Sequence, residues 1–195
     1  MPRPRTFDEE QALDAAMRAF WVAGYEATST DDLCTATGLG RSSIYNTFTG
    51  KHALFLRALR RYTDERTGWL VELAGSGRGA RATLRALMLQ AGSGTGIDIG
   101  VDEPAGCLVV NTTVELAARD QDVAAVLRRD AERRLAVLIA IIEAGQRDGE
   151  IDGEKDPRAL AQFVIAAISG MRVMARGGTD RATLDGIAAT TLAAL

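Results

Sequence analysis

The chain has 195 residues, of which 47% are hydrophobic and 25% are charged, and its formal net charge at neutral pH is -3. This composition is typical of a soluble globular protein, because disordered chains have fewer apolar residues and a larger net charge. No run approaches the roughly 18 consecutive apolar residues of a membrane helix, and no apolar signal segment follows Met1. We therefore expect a cytoplasmic protein.

The two cysteines and the single histidine exclude several kinds of site. Cys34 and Cys107 are too few for a disulfide framework and lack the spacing of metal ligands. One histidine, His52, leaves little material for a catalytic triad or a histidine-based metal site. We therefore expect a protein that is not an enzyme and that holds no metal or other cofactor.

Charge is distributed unevenly along the chain. Residues 1–62 carry eight Lys or Arg and seven Asp or Glu, whereas residues 63–195 carry 15 and 19. Residues 33–63 contain no acidic residue, and their basic residues are Arg41, Lys51, Arg57, Arg60 and Arg61. Such a basic segment is often only a solvated face, and it indicates a nucleic-acid footprint where the backbone has a suitable shape.

Helical periodicity prevails throughout, and strand-like alternation between turn signals is lacking. The pattern predicts an all-α fold of nine helices. In chain order, the predicted helices cover residues 7–23, 30–37, 41–47, 51–74, 80–91, 107–118, 122–147, 157–176 and 179–195.

The second and third predicted helices are short and are joined by a brief turn that contains glycine. Ser29 and Asp32 form a cap pair at the start of the second helix, and Gly38 is suited to the left-handed backbone at its end. Ile44 and Phe48, four residues apart, mark the buried side of the third helix. Two such helices, backed by the longer first helix, predict a helix-turn-helix unit.

Residues 28–55, TSTDDLCTATGLGRSSIYNTFTGKHALF, closely resemble the N-terminal signature of the TetR/AcrR family of transcriptional regulators. The T-G-L-G turn, the I-Y-x-x-F pattern and Lys51 carry the resemblance. It implies a DNA-binding domain in residues 1–62 and a helical bundle for effector binding and dimerisation in residues 63–195. It also implies a homodimer that binds a pseudo-palindromic double-stranded operator, most often as a repressor that a small molecule releases.

The third helix carries side chains suited to reading DNA. Arginine can bond guanine, asparagine can bond adenine, and hydroxyls can bond bases or phosphates. Lys51 lies at a helix start, where the macrodipole disfavours a cation and where a phosphate would compensate. The alternative to a DNA contact is that residues 28–30 serve only as helix caps. For Tyr45 the alternative is a half-buried aromatic ring. The predicted DNA-binding residues are Thr28, Ser29, Thr30, Arg41, Ser42, Ser43, Tyr45, Asn46, Thr47 and Lys51.

The effector site is less determined by the sequence. An apolar pocket with Asn111 and Glu115 as polar anchors would suit a lipophilic or aromatic molecule. Each candidate could also be an ordinary core residue, and for Cys107 a small core residue is favoured over a thiol sensor. The candidate ligand-binding residues are Trp69, Met88, Cys107, Asn111, Val114, Glu115, Phe163, Met171 and Met174.

The last two helices carry broad apolar stripes interleaved with small residues, which permit close helix approach. The stripes predict either a face of the chain's own core or a face that pairs with a second subunit. The predicted dimer residues are Leu160, Val164, Ala167, Ile168, Leu184, Ile187, Ala188 and Thr191.

Two alternatives to a ligand-released repressor stay open at this point. The first is an activator or a ligand-insensitive regulator with the same fold. The second is a small helical enzyme, for which a nucleophile or an acid/base pair would have to be found.

Overall fold

The computed structural model describes residues 7–92 and 106–195, and their regular secondary structure is entirely α-helical. The predicted all-α fold is therefore confirmed. Within the described residues there are nine helices: α1 (Glu9–Ala23), α2 (Thr30–Thr37), α3 (Arg41–Phe48), α4 (Lys51–Ala74), α5 (Ala80–Gly92), α6 (Leu108–Leu116), α7 (Gln121–Arg147), α8 (Pro157–Arg176) and α9 (Arg181–Ala193).

Capping side chains account for several of the differences between predicted and observed helix starts. Asp8 caps α1 by accepting bonds from two first-turn amides, so the helix begins two residues later than predicted from Thr6, which lies outside the described residues. Asp180 caps α9 by accepting a hydrogen bond from the amide of Thr183, and the helix begins after it. Gly38 ends α2 in the predicted left-handed conformation, with φ of 69°.

Buried apolar side chains form two clusters, one around the N-terminal helices and one in the C-terminal bundle. The first cluster contains the large rings of Phe20, Trp21, Phe48 and Phe55 from the N-terminal helices. It also includes side chains of α6 and of the first two turns of α7, so these segments pack as part of the N-terminal core. The second cluster unites the end of α4 with α5, the C-terminal part of α7, α8 and α9.

Helix α8 is the one described helix that is long and apolar enough to cross a membrane, with a mean hydropathy of 1.3. Its packing accounts for that composition. Seven of its residues are buried, and it lies against α5, α7 and α9 within the second core. The apolar character of the inward face of α8 is therefore that of a helix packed in a bundle.

Most of the predicted dimer residues lie inside the chain's own core, and the structure corrects this prediction for them. The stripe of the largest apolar side chains on α8 and α9 faces the core of the same chain. A side chain buried there has no surface left to contact a second subunit. Ala167 and Ile187 are half-buried. The six buried residues are Leu160, Val164, Ile168, Leu184, Ala188 and Thr191.

A different stripe of α8 faces outward, and it carries no charge. Phe163 and Val173 are 45% and 57% exposed, which is unusual for large apolar side chains. Small residues separate them, as the sequence predicted for a face of close helix approach. The outward stripe consists of Ala159, Phe163, Ala166, Gly170, Val173 and Met174.

Gly145 permits a close crossing of α7 with the start of α5. A Cβ atom at Gly145 would lie 2.6 Å from Cβ of Ala80 and 2.9 Å from Cδ1 of Ile151, both of which are buried. We expect Gly145→Ala to lower the free energy of unfolding by about 1–3 kcal/mol, because overpacked cores must shift backbone or rotamers. Urea unfolding at a fixed protomer concentration measures this change.

Gly68→Ala is the matched control, since Gly68 lies within α4 and its Cβ would meet nothing within 4 Å. That change should raise the free energy of unfolding by up to about 1 kcal/mol through helix propensity. A stabilising effect of Gly145→Ala would show that α5 and α7 do not cross as closely as described.

Candidate nucleic-acid interface

Helix α3 buries one face and leaves the opposite face open. Ile44 is fully buried and Phe48 is 2% exposed, as the sequence predicted, and both belong to the N-terminal core. The remaining side chains of the helix point away from that core. Ser43 and Thr47 are half-buried at its borders, and the exposed residues are Arg41, Ser42, Tyr45 and Asn46.

Arg41 is held beside α2 by a surface ion pair. Its Nη2 donates to Oδ1 of Asp31 over 2.8 Å, and this hydrogen bond raises the pKa of Arg41. The two side chains are 61% and 79% exposed, and ion pairs in such positions contribute little free energy. The guanidinium can therefore exchange Asp31 for another anion at low cost.

Tyr45 is 53% exposed, so the alternative of a half-buried ring does not hold. Its ring lies against the turn between α3 and α4, where a Cβ at Gly50 would meet Cε1 of Tyr45 at 3.5 Å. Thr49, which ends α3, has φ of 69°, the one positive value among the described residues other than glycine. The left-handed conformation of Thr49 ends α3 directly before α4 begins.

Residues 28–30 divide between structural and accessible positions. Thr28 is 1% exposed and its hydroxyl donates to the carbonyl of Gly24 over 2.6 Å, so this predicted DNA contact is corrected to an internal one. Ser29 forms the predicted capping box with Asp32, and the hydroxyl of Ser29 lowers the pKa of that carboxyl. Ser29 is nevertheless exposed, while Thr30 is half-buried.

Lys51 has a partner within the chain. Its Nζ lies 4.4 Å from the ring centroid of Tyr25, a cation–π contact that offsets the unfavourable end of the helix dipole. A phosphate is therefore not required to explain a lysine at this position. The first turn of α4 still has no side-chain cap, so its amides stay open to an anion.

Two of the five arginine and lysine charges in residues 33–63 are neutralised by acidic residues of α1. Arg57 pairs with Glu9 over 2.7 Å. Arg61 pairs with Asp14 over 2.8 Å and also contacts Glu10. The basic footprint predicted from this acid-free segment is correspondingly smaller.

Two polar contacts fasten the helix-turn-helix unit to the corner between α6 and α7. The carboxylate of Glu115 accepts hydrogen bonds from the amides of Tyr25 and Glu26, at 3.1 and 2.7 Å. Glu115, predicted as an effector anchor, is thus occupied by the α1–α2 loop. The second contact joins His52 Nε2 to Asp120 Oδ2 over 2.8 Å.

The contact at Asp120 belongs to a larger polar cluster that the sequence did not predict. Asp120 caps α7 by accepting from the amide of Val123, which lowers the pKa of the carboxyl, and His52 lowers it further. Asp122 brings a second carboxylate within 4.8 Å of the other two groups. A lone histidine thus meets two acidic residues because α4 and α7 are packed together.

The structure separates the candidate ligand-binding residues into four groups, with Val114 belonging to two of them. Met88 and Met171 are core residues, whereas Phe163, Val114 and Met174 are at least one-third exposed. Trp69 borders a small cavity at the centre of the bundle. The remaining candidates, together with Val114, line a cavity of about 260 Å³ between α6 and α8. They are Cys107, Asn111 and Glu115.

Two buried arginines lie beside these cavities and were not predicted from the sequence. Arg66 of α4 and Arg172 of α8 are only 9% and 6% exposed. Arg66 donates to the hydroxyl of Tyr62 over 3.2 Å, and Arg172 donates to Sγ of Cys107 over 3.3 Å. The sequence signal that could have identified both arginines is their position on the apolar stripe of a helix. Arginine is rarely buried without a partner, so a buried arginine indicates a polar site.

Comparison with known proteins agrees with this architecture. Residues 12–58 match the family described as bacterial regulatory proteins, tetR family, and residues 80–191 match the tetracyclin repressor-like C-terminal domain. The Escherichia coli K12 transcriptional repressor ComR is 35% identical over 194 residues, covering 97% of this chain and 90% of ComR. The Bacillus subtilis 168 transcriptional regulator YezE is 24% identical, covering 92% of each chain.

A solved structure of similar fold contains DNA. It is a cysteine variant of the TetR family regulator CifR complexed with 26-base-pair operator DNA, with a TM-score of 0.85, 27% identity and 98% coverage of both chains. All three of these relatives are transcriptional regulators by name. The helix-turn-helix geometry, the two matched domains and the full-length similarity to ComR lead to one conclusion: the chain belongs to the TetR family of bacterial transcriptional regulators.

Proposed function

We propose that this protein is a cytoplasmic, homodimeric repressor that binds a pseudo-palindromic operator and is released by a small molecule. Residues 1–62 would contact DNA, and residues 63–195 would bind the effector and form the dimer. The observation that carries the proposal is the exposed polar face of α3 opposite Ile44 and Phe48. The operator complex of CifR, a protein of the same fold, supports it.

The exposed face of α3 has the side chains that a major groove requires. Arg41 and Asn46 would read base edges, since each can form two hydrogen bonds with one base. Ser42 and Ser43 are small enough to let the helix approach the groove floor. Four further side chains would contact the DNA backbone at the borders of the helix, because phosphate contacts fix register rather than sequence. They are Ser29, Tyr45, Thr47 and Lys51.

The outward stripe of α8 would form the dimer interface. Its exposed Phe163 and Val173 stand beside small residues, so two such helices can approach closely. The interface would place two α3 helices on successive turns of one duplex face, as two-fold symmetric regulators require.

Release would act through the corner between α6 and α7. Glu115 at the end of α6 holds the α1–α2 loop, and Asp120 at the start of α7 holds His52 of α4. A ligand that shifts α6 would therefore displace one helix-turn-helix unit relative to the other. Such a ligand lowers operator affinity because it binds the displaced arrangement more tightly.

Asp31→Asn tests the role of Arg41. The substitution removes a carboxylate that competes with DNA for Arg41, so affinity for the protein's own upstream DNA should increase about two- to fivefold. Fluorescence anisotropy at constant salt measures it. Glu72→Gln, which removes an exposed carboxylate near the other end of α4, should leave affinity unchanged. Weaker binding by Asp31→Asn would contradict the proposed position of Arg41.

Lys51→Ala tests the phosphate contact. Binding should weaken similarly for different sequences, and the slope of log affinity against log salt should fall by about one unit. Lys155→Ala is the control, since this second lysine lies between α7 and α8, away from α3. An unchanged slope for Lys51→Ala would show that Lys51 serves only its contact with Tyr25.

Gly170→Arg tests the dimer face. A Cβ at Gly170 meets nothing within 4 Å, so the chain should fold normally while the arginine blocks a closely packed interface. We expect monomers in light scattering and about 100-fold weaker operator binding, because each half-site supplies only part of the contact free energy. Gly153→Arg, on an open loop, should change neither property. A dimeric Gly170→Arg protein would exclude this face.

A further inference from the structure

The C-terminal bundle buries positive charge without matching negative charge. Arg66 and Arg172 come from α4 and α8, and both line one small cavity with Trp69 and aliphatic side chains. The hydroxyl of Tyr62 and the thiol of Cys107 are the groups to which they donate hydrogen bonds. Among the residues that the structure describes, neither guanidinium has a carboxylate within ion-pair distance.

The nearby carboxylate of Asp130 forms an ion pair with Arg134 and also acts electrostatically on Arg66. Its Oδ2 lies 2.9 Å from Nε of Arg134, and its Oδ1 accepts a hydrogen bond from Thr67. Arg134 borders the same small cavity as Arg66 and Arg172, so three guanidinium groups surround a region that has one carboxylate beside it. Burial raises the pKa of Asp130, and Arg134, Thr67 and Arg66 partly counteract that shift.

Such an arrangement is costly without an anion beside it. Arginine does not lose its proton in proteins, and a buried cation without an anionic partner loses hydration that a hydroxyl or a thiol does not replace. Guanidinium groups bind carboxylates, as they bind phosphates, through two parallel hydrogen bonds. The excess positive charge therefore indicates a negatively charged ligand.

Space for such a ligand adjoins Arg172. This residue lines the small cavity, which has room for about one water molecule at roughly 20 Å³, and also the cavity of about 260 Å³ between α6 and α8. The larger cavity has Val110, Val114 and Val173 on its walls and Cys107 beside Arg172. Its volume is slightly below the range of about 300–1,000 Å³ for drug-sized ligands, so it suits a small molecule.

We propose that the effector is a small organic acid whose carboxylate binds Arg172 and whose apolar part occupies the cavity between α6 and α8. Arg66, linked through Tyr62 to Cys107, adds positive charge behind the carboxylate. This inference rests on the proposed function, in which residues 63–195 bind the effector. It replaces the expected anchor Glu115, which already binds the α1–α2 loop and would repel an acid.

Matched acids and amides test the charge requirement. Phenylacetate and octanoate are compared with phenylacetamide and octanamide by tryptophan fluorescence and by the thermal midpoint of the full-length protein. We expect each acid to bind at least about tenfold more tightly than its amide, because a charged hydrogen-bond pair is lost with the amide. Equal binding of acid and amide, or no binding of either acid, would overturn the proposal.

Substitutions at two arginines locate the carboxylate. Arg172→Met roughly keeps the side-chain volume and removes a buried charge. It should reduce the preference for acids to less than about twofold, whereas Arg172→Lys should retain part of it. Arg176→Met removes an exposed arginine on the rim of the same cavity and should leave the preference intact. If Arg176→Met loses the preference for acids while Arg172→Met keeps it, the acid binds at the rim and the proposal is overturned.

Measurements with inorganic phosphate and with DNA complete the test. Inorganic phosphate at equal ionic strength tests for an unspecific anion effect, and stabilisation equal to that by phenylacetate would overturn the assignment of an organic acid. Binding of upstream DNA is measured without any ligand. If the protein binds DNA but shows no preference for acids, this inference fails while the proposed function stands; if it binds no DNA, the proposed function itself fails.

Discussion

The exposed surface of α3 depends on the burial of two side chains. A helix of eight residues is too short to be stable in water by itself, so α3 exists because Ile44 and Phe48 pack into the N-terminal core. These residues are four positions apart and lie on one face of the helix. Their burial turns Arg41, Tyr45 and Asn46 toward solvent, and every proposed contact with bases follows from that orientation.

The same core extends from the helix-turn-helix unit into α6 and α7, so α1 and α4 connect the proposed effector region to α3. Leu108 and Val123 are buried with the aromatic residues of the N-terminal helices. Glu115 and Asp120 add polar contacts at the periphery of this junction. A change at the cavity between α6 and α8 therefore acts on a packed interface, and packed interfaces move as units.

Local signals predicted the helices and caps of the N-terminal segment well, and non-local contacts account for what they missed. The capping box of Ser29, the left-handed Gly38 and the two faces of α3 each depend on residues within one helical turn. The contact of Lys51 with Tyr25 and the burial of Thr28 depend on tertiary packing. Periodicity identified an apolar stripe on α8 but could not distinguish the chain's core from a second subunit, because both cover apolar surface.

The proposed regulation of transcription requires that the outward face of α3 reads bases in a major groove. Selection of binding sites from random duplexes, with the wild type and Asn46→Ala, tests this requirement most directly. The wild type should select two inverted half-sites, and Asn46→Ala should relax one base pair in each half-site, with a loss there of about 1–3 kcal/mol. If Asn46→Ala selects the same sequences with undiminished stringency, Asn46 does not read a base and the central claim is contradicted.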